Sequence, residues 1–143
     1  MKRIRNAVAG LLGTGALLAF GVMVASSATA STTCDGSSCN GLDPTQVYSS
    51  IDGQRCDVGA YTPTGASVST PQGFVELRYG PHCHANWARI SSSSAGTWFW
   101  VQNWNGDSQQ YYVPSGFTSA YTNMVNGYPV ARAGDAGGHT DWF

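Results

Sequence analysis

From Val58 onward the chain consists of short runs in which apolar and polar side chains alternate, bounded by Gly, Pro, Asn or Ser, a period-two pattern that predicts strands. The clearest is Phe74 to Tyr79, with Val75, Leu77 and Tyr79 on one face and Glu76 and Arg78 on the other, stopped by Gly80-Pro81. Asn86 to Ile90 reads as the next strand, and Ser91 to Gly96 as a polar turn. Thr97 to Trp104 carries the strongest strand signal. After it, Asn105-Gly106 predicts a two-residue hairpin turn, since both positions tolerate positive φ, and Gln109 to Val113 is the return strand, stopped by Pro114. Ala120 to Val125 and Tyr128 to Ala133 supply further strands around an Asn126-Gly127 turn, while the glycine-rich Gly134 to His139 is expected to be loose. Turn signals at this spacing predict a mainly β domain, a small β-sandwich or a partly open β-barrel.

The chain before Val58 reads differently. Residues 31 to 57 are rich in Gly, Asp, Ser and Cys, and Asp43-Pro44 is placed to cap one helical turn through Tyr48, so this stretch is expected to form a short, irregular N-terminal lobe. With no internal repeat and no linker, residues 31 to 143 form one domain. Ahead of it lie three cations, Lys2, Arg3 and Arg5, an uncharged apolar stretch from Ala7 to Val24, and the small residues Ala28-Thr29-Ala30. These are the three regions of a secretory signal, which places cleavage after Ala30. Four glycines within the apolar stretch and the absence of a basic stop-transfer cluster argue against a retained membrane anchor.

Removing the signal changes the electrostatics. It leaves four arginines, Arg55, Arg78, Arg89 and Arg132, against eight acids, a net charge of −4 with no lysine. A surface of that sign repels phosphate backbones and anionic lipid, so nucleic-acid binding and stable membrane association are not expected. Cys34, Cys39, Cys56 and Cys83 are an even set in a chain bound for an oxidising compartment, which implies two disulfides. Three pairings are possible. Joining neighbours, Cys34 to Cys39 and Cys56 to Cys83, meets the least entropic cost, and Asp35-Gly36-Ser37-Ser38 can turn tightly enough for the first; the loop-entropy relation assigns these bridges about 2 and about 3.5 kcal/mol.

One set of motifs carries a family resemblance: Cys34-Asp35-Gly36-Ser37-Ser38-Cys39-Asn40-Gly41-Leu42-Asp43-Pro44, then Cys56, then Val75-Glu76-Leu77-Arg78-Tyr79-Gly80-Pro81-His82-Cys83-His84-Ala85-Asn86-Trp87-Ala88-Arg89. In this order the motifs resemble the secreted bacterial family catalogued as domain of unknown function 2690, frequent in high-GC Gram-positive bacteria. The resemblance covers about residues 34 to 105 and departs from the family pattern at Gly80, where a serine is usual. It implies export, disulfides and the extent of the domain. It carries over no activity.

Candidate chemistry is sparse. His82, Cys83 and His84 are metal-ligand types, but on a strand the two histidines point one way and the cysteine the other, so no metal site and no cofactor are expected. Glu76 and Arg78 share a strand face and are expected to join in an exposed ion pair. No nucleophile elbow, phosphate-binding glycine loop or histidine-glutamate metalloprotease motif occurs. That leaves Trp98, Trp100 and Trp104, which share one strand face, with Phe99 and Val101 on the other. In a chain poor in Leu and Ile the expectation favours these tryptophans as core. If they face outward instead, they form a ligand-binding platform suited to sugar rings or a protein partner. The function expected is therefore a non-catalytic extracellular binding module for cell-wall polysaccharide or a protein, with a small secreted enzyme or enzyme inhibitor as the alternative.

Intact-mass measurement of the exported protein is expected to show a chain beginning at Ser31 and lighter than its reduced form by the hydrogens of two disulfides. A product retaining Met1, or one with titratable thiols, would contradict the processing scheme.

Overall fold

The computed structural model describes residues 29–143; the expected signal segment, residues 1 to 30, lies almost wholly outside them. In chain order the elements are β1 (Thr33–Cys34), a 3₁₀ turn (Gly36–Cys39), β2 (Tyr48–Ser49), β3 (Ser67–Thr70), β4 (Gly73–Gly80), β5 (Ala85–Ser91), β6 (Trp98–Asn103), β7 (Ser108–Tyr112), β8 (Ala120–Tyr121), β9 (Val125–Asn126), β10 (Ala131–Asp135) and β11 (Gly138–His139). They form two antiparallel sheets, β3-β4-β5-β8 with β9 also on β5, and β11-β10-β6-β7. The short parallel pair of β1 with β2 lies in the N-terminal lobe. This is a mainly β, disulfide-stapled fold with sandwich-like sheets, and neither sheet closes into a barrel.

The sandwich core follows from strand alternation. Val75 and Leu77 of β4 and Ala88 and Ile90 of β5 meet Phe99 and Val101 of β6 and Ala131 and Ala133 of β10, and all eight are fully buried. A second apolar cluster lies under the N-terminal lobe, where Trp87, Met124, Ala85 and Val47 pack around the four cysteines. The bridges are Cys34 to Cys39 and Cys56 to Cys83, and they touch, with the Sγ atoms of Cys34 and Cys56 3.8 Å apart. The second joins the lobe to the turn between β4 and β5.

Several local expectations are corrected. Asp43 caps a shorter turn than expected: the Gln46 N–H bonds to its carbonyl at 3.1 Å and its carboxylate accepts from the backbone N–H and the hydroxyl of Thr45, both at 2.8 Å, but the turn ends before Tyr48, which is extended in β2. Between β6 and β7 the Asn103 N–H bonds to the Asp107 carbonyl and closes a three-residue loop, Trp104 to Gly106, in which only Gly106 takes a positive φ, 91°. That is the loop in which one left-handed residue follows a tight turn. Asn126-Gly127 is no hairpin turn, because β9 pairs with β5 while β10 pairs with β6, so the chain crosses between sheets there. Glu76 pairs across the sheet with Arg89 at 2.8 Å, whereas Arg78 turns to Thr62 and the Ala60 carbonyl.

Gly134 to His139 is ordered rather than loose. Gly134 pairs with Trp100 on one side and His139 on the other, and a Cβ on Gly134 would lie 2.5 Å from the Gly138 carbonyl and 2.8 Å from the Trp100 ring. The absent side chain lets two rings lean over the strand. Beyond His139 the tail stays beside β10: the Ala131 N–H donates to the Phe143 carbonyl at 2.8 Å, and the Phe143 N–H to the Ala131 carbonyl at 2.9 Å.

Removing the Cys56 to Cys83 bridge by paired Cys→Ser substitution should lower the melting temperature more than removing Cys34 to Cys39, since the loop it closes spans 27 positions against 5. Equal losses would show that loop entropy does not set the ranking.

Candidate functional site

The orientation of β6 decides what the protein presents to solvent. Phe99 and Val101 are fully buried, so Trp98, Trp100 and Gln102 point away from the sandwich, with Trp98 56% exposed. Trp104, just past the strand, is 67% exposed. The expectation that these tryptophans form the core is therefore overturned. Alanines on β5 and β10 face the interior, and Phe99 with the aliphatic residues fills the space between the sheets. The buried tryptophan is Trp87, on the other sheet.

Strand register assembles the outer face laterally. Trp98 pairs with Tyr112; Trp100 lies between Gln110 and Gly134; Gln102 lies between Ser108 and Arg132. The rings of Trp98 and Tyr112 are 5.2 Å apart, and Trp100 is 6.1 Å from His139. The paired tail brings in Trp142, which meets Trp104 edge-on at 5.0 Å. Arg132 joins the two halves, its guanidinium carbon 5.6 Å from the Trp100 ring centre and 4.5 Å from that of Trp142. A shallow groove of about 260 Å³, lined by Trp100, Gln102, Ser108, Gln110 and Arg132 among others, runs over this surface. Flat aromatic area is thus interleaved with amide and guanidinium groups.

Two other grooves lie elsewhere. One of about 400 Å³, lined by Gln110, Tyr111, Phe117 and Tyr121 among others, opens beside β7 at the edge of its sheet, and its carboxylate, Asp43, is already bonded to Thr45. Another of about 370 Å³ lies between Tyr61, Tyr79, Tyr128 and Phe143. Beside it is a polar cluster in which Asp35 accepts from Tyr128 at 2.9 Å and lies 2.6 Å from Nδ1 of His84, while Tyr128 stacks on the His84 ring at 4.9 Å. Asp35 precedes the 3₁₀ turn, His84 lies between β4 and β5, and Tyr128 lies between β9 and β10, so the cluster ties three segments together. It also holds His84 at a φ of 45°, a left-handed conformation costly for a residue with a Cβ. The hydrogen bond to Asp35 pushes the Tyr128 hydroxyl above the usual tyrosine range, because ionising it would give up that bond and set two anions together.

The potential metal ligands are engaged. His82 pairs with Asp52 and His84 with Asp35, each through Nδ1 at 2.6 Å, so the structure does not bring the two histidines to a common point with Cys83. The four cysteine sulfurs lie within 4.8 Å of one another, but they are joined in two disulfides.

The sequence singled out Trp98, Trp100 and Trp104 but not Arg132, Trp142 or His139, which the structure sets beside them. A signal for Arg132 existed: it alternates with the apolar Ala131 and Ala133 and so had to face outward once those were core. For Trp142 there was none, because its place depends on the tail pairing with β10.

The profile of a family described as protein of unknown function (DUF2690) matches residues 37–135. No curated protein and no solved structure matches the chain. The matched span includes Trp98, Trp100, Trp104 and Arg132 and stops before Trp142.

The two faces of β6 should differ sharply in thermal melts. Phe99→Ala removes a fully buried ring and is expected to cost about 3–5 kcal/mol, whereas Trp98→Ala and Trp104→Ala should each cost less than about 1 kcal/mol. Losses at Trp98 and Trp104 as large as that at Phe99 would return these side chains to the core.

Proposed function

The chain belongs to the DUF2690 family, and we propose that it is a non-catalytic, extracellular glycan-binding module whose contact surface is the tryptophan face of the second sheet. The observation that carries this is the outward arrangement of Trp98, Trp100 and Trp104 beside Gln102, Gln110 and Arg132. A pyranose ring is apolar on its C–H faces and polar around its rim. Flat indole rings take the faces, and amide and guanidinium groups set among them take the hydroxyls. An open groove of this kind suits a polymer that passes over the surface better than a small molecule that must be enclosed.

Two disulfides favour an oxidising, extracellular setting, and among the described residues no helix is long and apolar enough to cross a membrane. Cell-wall polysaccharide is the ligand class that fits such a location. A catalytic alternative would start from the Asp35 and His84 pair, since a carboxylate orienting a histidine is half of a general-base arrangement. The third member is a tyrosine stacked on the same ring, and the bonds of the cluster serve to join three segments.

Retention of the oxidised protein on insoluble cell-wall preparations and polysaccharides provides the test. Binding to at least one of them is expected, with Trp100→Ala weakening it at least tenfold and Tyr121→Ala, on β8 of the first sheet, leaving it unchanged. Absence of retention across the panel, or retention indifferent to Trp100, would refute the glycan assignment; capture of a protein through the same tryptophans would shift it to a protein ligand.

A further inference from the structure

Two of the four arginines of the domain are held in ion pairs. Arg55 pairs with Asp57 and Arg89 with Glu76, and Arg78 donates to Thr62 Oγ1 at 3.1 Å and to the Ala60 carbonyl at 2.8 Å. Arg132 is different. Like Arg78 it makes no salt bridge among the described residues, but where Arg78 has two acceptors at 3.1 and 2.8 Å, Arg132 has one long contact, Nη2 to Gln102 Oε1 at 3.3 Å, and its Nε is enclosed with no hydrogen-bond partner. A guanidinium presents several donors in a planar fork that matches a carboxylate. Here most of that capacity is unused in a domain that carries twice as many acids as arginines.

Its position is not accidental packing at a margin. The guanidinium lies between Trp100 and Trp142 and lines the groove over the tryptophan face. Both rings attract the cation through their π faces and hold it over the platform without supplying an anion. Gln102 and Gln110 already offer partners for sugar hydroxyls, and a full positive charge fixed among the rings bonds an anionic oxygen about twice as strongly as a neutral one. Resting on the glycan assignment above, we infer that the ligand is a carboxylate-bearing glycan and that Arg132 binds the carboxylate while the adjoining pyranose lies on Trp100.

Two sources share this chemistry, hexuronate polymers and the lactyl ether of muramic acid, and matched probes separate them. Isothermal titration of the oxidised protein would compare galacturonate oligomers with their methyl esters, and oligomers containing N-acetylmuramic acid with N-acetylglucosamine oligomers of the same length. The acidic member of at least one pair should bind about tenfold tighter or better, the preference should shrink as salt is added, and Arg132→Gln should bring acidic affinity down to the neutral value. Arg132→Lys keeps the charge but loses the fork and should fall between; if Arg132→Gln proves unfolded by its melt, the lysine variant makes the same comparison. Trp100→Ala should weaken acidic and neutral members alike. Equal binding within both pairs, abolished by Trp100→Ala, would leave the glycan module standing and overturn the carboxylate. Absence of binding to all four probes together with no retention on any polysaccharide would overturn both.

Discussion

The burial of Phe99 and Val101 against Val75, Leu77 and Ile90 is the contact on which the remaining architecture depends. Each such side chain contributes about 1.5–3 kcal/mol when removed from water, and together they fix which face of β6 turns inward. Strand geometry does the rest: with alternate residues committed to the interior, Trp98, Trp100 and Gln102 must point out. A slip of one residue in the pairing with β10 would drive three polar or oversized side chains into a space lined by Ala131 and Ala133. The exposed tryptophan face is therefore a consequence of core packing, and the missing side chain at Gly134 lets the Trp100 ring lie close over β10.

The N-terminal lobe solves a different problem. It has few residues and almost no regular structure, so its position relies on cross-links: the touching disulfides, the Trp87 and Met124 cluster beneath them, and the Asp35, His84 and Tyr128 bonds around them. Left-handed backbone at His84 is tolerated because the ring is held from both sides. This explains the concentration of titratable groups at the lobe without requiring chemistry from them. The tryptophan face, in contrast, has one charged side chain at its centre, and that side chain lacks an internal counter-ion.

Strands β4 to β7 were legible in the sequence because alternation is local, and the two disulfides were legible as a pair because parity and compartment constrain cysteine use. Which face of β6 lies inside was not. Residue type favoured tryptophan as core, but the answer depended on packing between strands distant in sequence, where Phe99 is buried among Ala88, Ala131 and Ala133. Asn126-Gly127 had the composition of a hairpin turn and failed as one because Val125 pairs with β5 while Ala131 is claimed by β6, a competition between sheets that no short window contains. Trp142 joined the site only through the backbone bonds between Phe143 and Ala131. The candidate site was thus half visible: its tryptophans could be named, while Arg132, which gives it charge, could be placed only after the core was known.

The most direct measurement of this account is residue-resolved oxidative footprinting of the folded, oxidised protein by mass spectrometry, which reports the solvent access of each tryptophan in one experiment. Trp98 and Trp104, at 56% and 67% exposure, should be modified rapidly and Trp87, at 5%, should be protected until the chain unfolds. Protection of Trp98 and Trp104 to the level of Trp87 in the unliganded protein would contradict the account at its base.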